Sequence, residues 1–224
     1  MKREEKFYLI LCTLFATLIV VSNMVYQKFV YLPIFSIYTF EISAGTIFYP
    51  ASFLITNLIT EFYGEEKAQF SVRLGMSINI TMCLLIQFIG SLQTTPWSKI
   101  DNAAFDLIFG VYSFALVGSL VANYVSQMVD IKLYLFIRKL TKNQYTFLCN
   151  LSSSISLLVD TSIVIIFIAI IGAIPYNQVF PLILNSYTYK LLFTIVTTPI
   201  FSFIVIYFKH MTKQINIPNS STLE

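Results

Sequence analysis

The sequence predicts an all-α polytopic membrane protein, a six-helix transmembrane bundle with both termini in the cytoplasm. Three observations carry this. Of 224 residues, 57% are hydrophobic and only 11% are charged, with a mean hydropathy of +0.76, whereas soluble domains carry about 25% charged residues. The apolar residues gather in runs of about 20, the length needed to cross about 30 Å of hydrocarbon. Lys and Arg fall almost wholly in alternate connections, which is the pattern of cytoplasmic loops. The 21 Phe and 14 Tyr suit a lipid-facing surface with interfacial rings.

The first span is expected from about Phe7 to Tyr26. Met1-Lys2-Arg3 resembles the charged start of a secretory signal. The apolar run that follows is full length and reaches Ser22-Asn23-Met24 without a small-x-small cleavage site, so it reads as an uncleaved span. The second is expected over about Ile42–Thr60 and the third over Phe70–Gly90. The fourth starts near Leu107 and runs to about Ile137, the fifth covers Tyr145–Ile174 and the sixth Leu182–Phe208. Connections are short, so residues 1–213 read as one six-span domain without internal repeat, and 214–224 as a frayed polar tail. Eleven Lys and Arg then lie on one side: Lys2, Arg3, Lys6, Lys67, Arg73, Lys132, Arg138, Lys139, Lys142, Lys209 and Lys213. Lys28 and Lys99 lie on the other, and Lys190 falls within a span. The bias places both termini inside and Trp97 at the outer interface, in a cell inner membrane.

Composition also excludes several functions. A net charge of +3 gives no nucleic-acid surface. Cys12, Cys83 and Cys149 lack metal-ligand spacing, and the single His210 rules out a His-based metal cluster. There is no Gly-x-Ser-x-Gly, no His-Glu-x-x-His and no Gly-rich phosphate loop ending in Gly-Lys. The sequence therefore predicts no enzyme, no cofactor and no ATPase of its own.

The informative residues are polar ones inside spans. An ionisable group at membrane depth costs about 2.5–3.5 kcal/mol on insertion scales and usually faces a bundle interior. Asp160 and Lys190 fall inside the fifth and sixth spans. Asp130 lies toward the cytoplasmic end of the fourth, and Glu61 closes the second. Helical spacing gathers neighbours beside them: Asn57 with Glu61, Asn123 with Gln127 and Asp130, Ser153 and Ser156 with Asp160, and Tyr187 and Thr194 with Lys190. Four helices thus present polar stripes that only a shared interior accommodates. Ser153, Ser156 and Thr194 can equally serve helix contacts. Asp160 and Lys190, both about 20–27 Å from the cytoplasmic end at 1.5 Å per residue, can form a purely structural pair. Glu61 and Asp130 can reach water by snorkelling.

Residues 55–68, Ile-Thr-Asn-Leu-Ile-Thr-Glu-Phe-Tyr-Gly-Glu-Glu-Lys-Ala, resemble the TD-x-x-TE-x-YG-x-x-x-A signature of the queuosine precursor transporter family, formerly called vitamin uptake transporters. Further matches keep their order: Ser22-Asn23, Gln127-Met128-Val129-Asp130, Asp160-Thr161 and Lys190. The resemblance covers about residues 10–208. The chain departs from the pattern at Asn57, where the family usually has Asp, and at Gln69, where a basic residue is common. The resemblance implies import of a 7-deazaguanine base: the cyano or aminomethyl precursor of queuosine, or queuine. Candidate substrate-binding residues are Asn57, Glu61, Asn123, Gln127, Asp130, Ser156, Asp160 and Lys190. A carboxylate can accept the paired N–H groups of a guanine-like edge, amides can meet the carbonyl beside an N–H, and aromatic rings can stack on the base. Three interior acids against one lysine would favour the cationic bases. The expected partners are this small molecule and the lipid bilayer, and a homodimer is an open expectation. Two other readings stay open: the substrate-binding subunit of an energy-coupling-factor importer, and a non-transport membrane protein. The former usually docks through Ala-x-x-x-Ala on its first helix, where this chain has only Ala16.

Overall fold

A computed structural model describes residues 3–34, 38–109, 112–142, 146–172 and 174–215; of the expected frayed tail, 214–224, only 214 and 215 fall within these, and both are helical. Helix α1 (Arg3–Met24) leads into a two-stranded antiparallel hairpin, β1 (Phe29–Ile34) and β2 (Tyr38–Ser43), paired from Phe29↔Ser43 to Ile34↔Tyr38. Five helices longer than a turn or two follow: α2 (Pro50–Gly90), α3 (Asn102–Phe109), α4 (Tyr112–Leu140), then, after the short α5 (Thr146–Leu151), α6 (Ser153–Ile170) and α7 (Val179–Ile215). At 1.5 Å per residue the 22 residues of α1 extend about 33 Å, enough to cross a bilayer.

Among the described residues five helical segments are long and apolar enough to span a membrane, and the longest folds back on itself. At Gly64 the backbone leaves the helix with φ 82° and ψ −179°, a conformation essentially confined to glycine. On the N-terminal arm Gly45 packs against Ser22, and the Tyr63 hydroxyl bonds Glu4 O at 2.8 Å. On the C-terminal arm Tyr8 bonds Lys67 O at 3.1 Å, and Asn23 bonds Asn79 at 3.0 Å. The two arms therefore run along α1 in opposite directions, which recovers the expected second and third spans.

The hairpin corrects the expectation that the second span begins near Ile42. In β2, Phe40 and Ile42 are buried while Tyr38, Thr39 and Glu41 are exposed, a period-two pattern that belongs to a strand. Phe40 and Ile42 pack on Tyr189 and Phe193 of α7. Helix α2 starts only at Pro50, where proline's missing N–H has no helical acceptor to lose. A turn of 3-10 helix, Ala44–Thr46, joins the two. Gly45 there lies so close to the Ser22 carbonyl that a Cβ could not fit. The expected fourth span is divided between α3 and α4, and the expected fifth between α5 and α6.

The bundle buries most of its membrane-depth polar groups beside an apolar core and is apolar outside. Asn57, Asn79, Ser126, Gln127, Asp130 and Ser156 have no exposed surface, whereas Phe203 and Ile206 are each 68% exposed. Lipid chains are as apolar as leucine, so apolar residues gain nothing by facing inward. Buried polar groups, by contrast, find partners only on neighbouring helices. Between them, Phe15, Ile19, Phe53, Ile59, Val72, Tyr134, Leu157 and Phe201 fill one continuous apolar core.

Candidate functional site

A cavity of about 330 Å³ opens among α1, the hairpin, α4, α6 and α7, at the end of the bundle where α1 finishes. Its walls are the rings of Tyr26, Phe29 and Tyr49 and the apolar side chains of Val164, Ile165, Ile168 and Leu182. Its polar groups come from Asn23, Ser119, Ser186, Asp160, Thr161 and Lys190. The volume is at the small end of the roughly 300–1,000 Å³ usual for small-molecule sites.

The cavity ends on Asp160 and Lys190, which both line it. Lys190 Nζ lies 2.9 Å from Asp160 Oδ2 and donates to Thr161 Oγ1 at 2.8 Å. It also sits 4.9 Å from the centroid of the Tyr49 ring, a cation–π contact. Asp160 Oδ1 accepts from the Tyr49 hydroxyl at 2.6 Å and from Ser126 Oγ at 3.3 Å. Asn123 Nδ2 donates to the Tyr49 oxygen at 2.9 Å. Asn123 thus positions Tyr49 and reaches Asp160 only through it. The carboxylate has about four lone-pair sites, and three are occupied.

The other predicted residues lie elsewhere. Asn57, Gln127, Asp130 and Ser156 do not line the cavity; they sit in a closed polar layer on its far side from the opening. There Asn57 Nδ2 donates to Asn150 Oδ1 (3.0 Å) and Ser153 Oγ (2.8 Å). Asn150 Nδ2 in turn donates to Thr198 Oγ1 at 2.8 Å, and Gln127 Nε2 to Ser52 Oγ at 3.2 Å. Glu61 lies further still, near the start of α1. It accepts from the Tyr134 hydroxyl at 2.9 Å and pairs with Arg138 at 3.4 Å. On α7 the polar stripe is Ser186, Lys190, Thr194 and Thr198, all buried. The expected Tyr187 is only half-buried and does not line the cavity.

Sequence reasoning missed Tyr49, which touches both charges of the central pair. It stands next to Pro50 in an apolar run, where nothing in the spacing marks it. Asn150 and Thr198 were missed because each carries its stripe one helix turn beyond the residues singled out. Ser22-Asn23 was visible only through the family resemblance. Asn23 lines the cavity and accepts from Ser119 Oγ at 2.6 Å.

The described geometry is that of a small, mostly apolar cavity ending on one neutralised ion pair within a membrane bundle. A family profile described as "Putative vitamin uptake transporter" matches residues 43–204, well over half the chain. The chain belongs to that family. The transporter is also 30% identical over 158 residues to a "Probable queuosine precursor transporter" of Bacillus subtilis (strain 168), covering 69% of this chain and 68% of that protein. No solved structure matches it. It is a multi-pass membrane transporter of that family. The matched segment holds Tyr49, Asp160 and Lys190 together with the closed polar layer and Glu61.

Proposed function

We propose that this transporter imports a 7-deazaguanine base, a queuosine precursor or queuine, across the cytoplasmic membrane through the cavity that ends on Asp160 and Lys190. The observation that carries the reading is that pair, fixed by Tyr49, at the base of a cavity sized for one small planar molecule. The Lys and Arg bias supports an orientation with the end of α1, and so the cavity mouth, on the outer side, as an importer ready for substrate requires. The N–H groups of a guanine-like edge can bond the Asp160 carboxylate, using its remaining lone pair and displacing the long 3.3 Å contact from Ser126. Lys190 can donate to the adjacent carbonyl. Tyr26, Phe29 and Tyr49 supply ring faces, and base–aromatic stacking is worth about 1–3 kcal/mol per base. Asn57, Gln127, Asp130, Ser156 and Glu61 act around this site without lining it.

Charge bears on which base is carried. The one acid and one lysine lining the cavity neutralise each other, and Glu61 is matched by Arg138. A cationic base gains no electrostatic advantage there, so the uncharged cyano base should be carried at least as well as the aminomethyl base. The test is uptake of each base by cells unable to make queuosine, read as queuosine in tRNA. Expression of the transporter should restore queuosine from at least one base. No restoration from any of the three would overturn the reading.

A further inference from the structure

Five buried oxygen atoms with no hydrogen bond within 3.5 Å gather in the closed polar layer: Asn57 Oδ1, Gln127 Oε1, both carboxylate oxygens of Asp130, and the Ser156 hydroxyl. All four residues are completely buried. Native proteins pair the large majority of such atoms, and an unsatisfied one costs about 1–3 kcal/mol, more when charged. The layer is built so that its donors turn away. Both N–H groups of Asn57 are spent on Asn150 and Ser153, and Gln127 donates to Ser52. The amide oxygens of both are left free. Ser153 and Ser156 are the hydroxyls that approach Asp130, and Ser153 also accepts from Asn57. These contacts bring α2, α4 and α6 together at one depth. Gln127 lies one turn from Asp130 on the same face of α4.

The charges of this layer do not balance. The other buried acids on the packed helices are matched, Asp160 by Lys190 and Glu61 by Arg138. Among the described residues no cation lies within salt-bridge distance of Asp130. A buried carboxylate without a counter-charge costs several kcal/mol.

We propose that Asn57, Gln127, Asp130 and Ser156 form a binding site for one monovalent metal cation, Na⁺, coupled to the neighbouring substrate cavity. Donor counting favours a metal ion over a proton. Protonating Asp130 adds one donor beside the Ser156 hydroxyl and still leaves three acceptors, the two amide oxygens and the second carboxyl oxygen, to share two donors, whereas a hard cation takes carboxylate, amide and hydroxyl oxygens together. The site offers a single negative charge, and no cluster of three or more acids, His or Cys exists among the described residues. That matches one positive charge better than two, since calcium and magnesium sites generally draw on carboxylates in number or on bound phosphates. Coupling has a direct route. Ser126, one turn from Asp130, donates to Asp160. Ser52 receives the Gln127 amide and donates to the Tyr49 carbonyl. A cation here orders the helices that hold Tyr49 and Asp160. The coupling rests on the proposed transport reading; the cation site does not.

The experiment is thermal unfolding of the purified full-length transporter, without substrate, in about 100 mM NaCl against equal choline chloride, across pH. A ligand that binds only the folded state raises the melting temperature in a saturable way. Wild type should melt higher in Na⁺. Asp130→Asn should lose the response, and Ser156→Ala, which keeps the charge, should raise the half-saturating Na⁺ about tenfold. Asp106→Asn, exposed on α3, should respond as wild type does. Equal melting in Na⁺ and choline, or a Na⁺ response that survives both Asp130→Asn and Ser156→Ala, overturns the site. Stabilisation by acid in choline that Asp130→Asn removes, without a Na⁺ effect, assigns a proton instead. In proteoliposomes an inward Na⁺ gradient should drive deazaguanine uptake; an intact melting response without uptake defeats the transport reading and leaves the cation site standing.

Discussion

Asp160→Asn, Lys190→Gln and the double variant separate a structural ion pair from a substrate site. Breaking one partner of a buried pair typically costs 3–5 kcal/mol, because the other charge is left uncompensated. The surroundings put both single variants at the low end. Without Asp160, Lys190 keeps the Thr161 hydroxyl and the Tyr49 ring face, the latter worth about 1–2 kcal/mol when desolvated. Without Lys190, Asp160 keeps the Tyr49 and Ser126 donors. We therefore expect about 3 kcal/mol for each, roughly two orders of magnitude in the folding equilibrium at 1.4 kcal/mol per decade. The double variant removes both charges and keeps Tyr49 and Thr161 as neutral partners, so its membrane abundance should return close to wild type. Uptake should not return. A hydrogen bond to a charged group is worth about 1.5–3 kcal/mol, so losing the carboxylate should weaken deazaguanine uptake by about 10- to 150-fold at low substrate. The assay is membrane abundance measured beside base uptake in the three variants. Near-normal uptake by the double variant would refute a direct role for Asp160.

Three further outcomes are expected. Glu61→Gln should lower uptake or abundance more than Glu65→Gln, because Glu61 is buried against Tyr134 and Arg138 while the exposed Glu65 accepts from Gln69 on the surface; equal values in the uptake assay would count against this. Gly64→Ala should destabilise by about 1–3 kcal/mol through backbone strain alone, since nothing lies within 4 Å of the added Cβ; thermal unfolding checks it, and an unchanged melting temperature would contradict the reversal. A reporter fused after Glu224 should be active only in the cytoplasm and one inserted at the exposed Trp97 only outside, and finding both on one side would end the six-crossing reading.

Span number and approximate position were legible because membrane insertion is decided by hydropathy summed over about 20 residues, a quantity wholly contained in the sequence. The polar stripes were legible for a similar reason: helical periodicity fixes which residues share a face. The turn at Tyr63-Gly64 was visible as a break between apolar runs flanked by Lys67, and it is where the chain reverses. The strand ending at Ser43 was not, because six residues of mixed polarity beside an apolar run carry too little periodicity to separate strand from helix.

What periodicity cannot supply is the depth at which one stripe meets another. The eight predicted site residues divide into three levels of the bundle: Asp160 and Lys190 at the cavity with Asn123 held behind Tyr49, Asn57, Gln127, Asp130 and Ser156 behind it, and Glu61 against Arg138. That division depends on where α2, α4, α6 and α7 cross, and so on side-chain packing between residues about a hundred positions apart. Tyr49 and Asp160 are 111 residues apart and share a 2.6 Å hydrogen bond. The sequence alone determined that the interior carries polar stripes and which helix faces hold them, because both follow from local composition. Only the tertiary structure decided which acids find a counter-charge and which does not, because a partner in a bilayer is a matter of contact between helices, with no water to stand in for it.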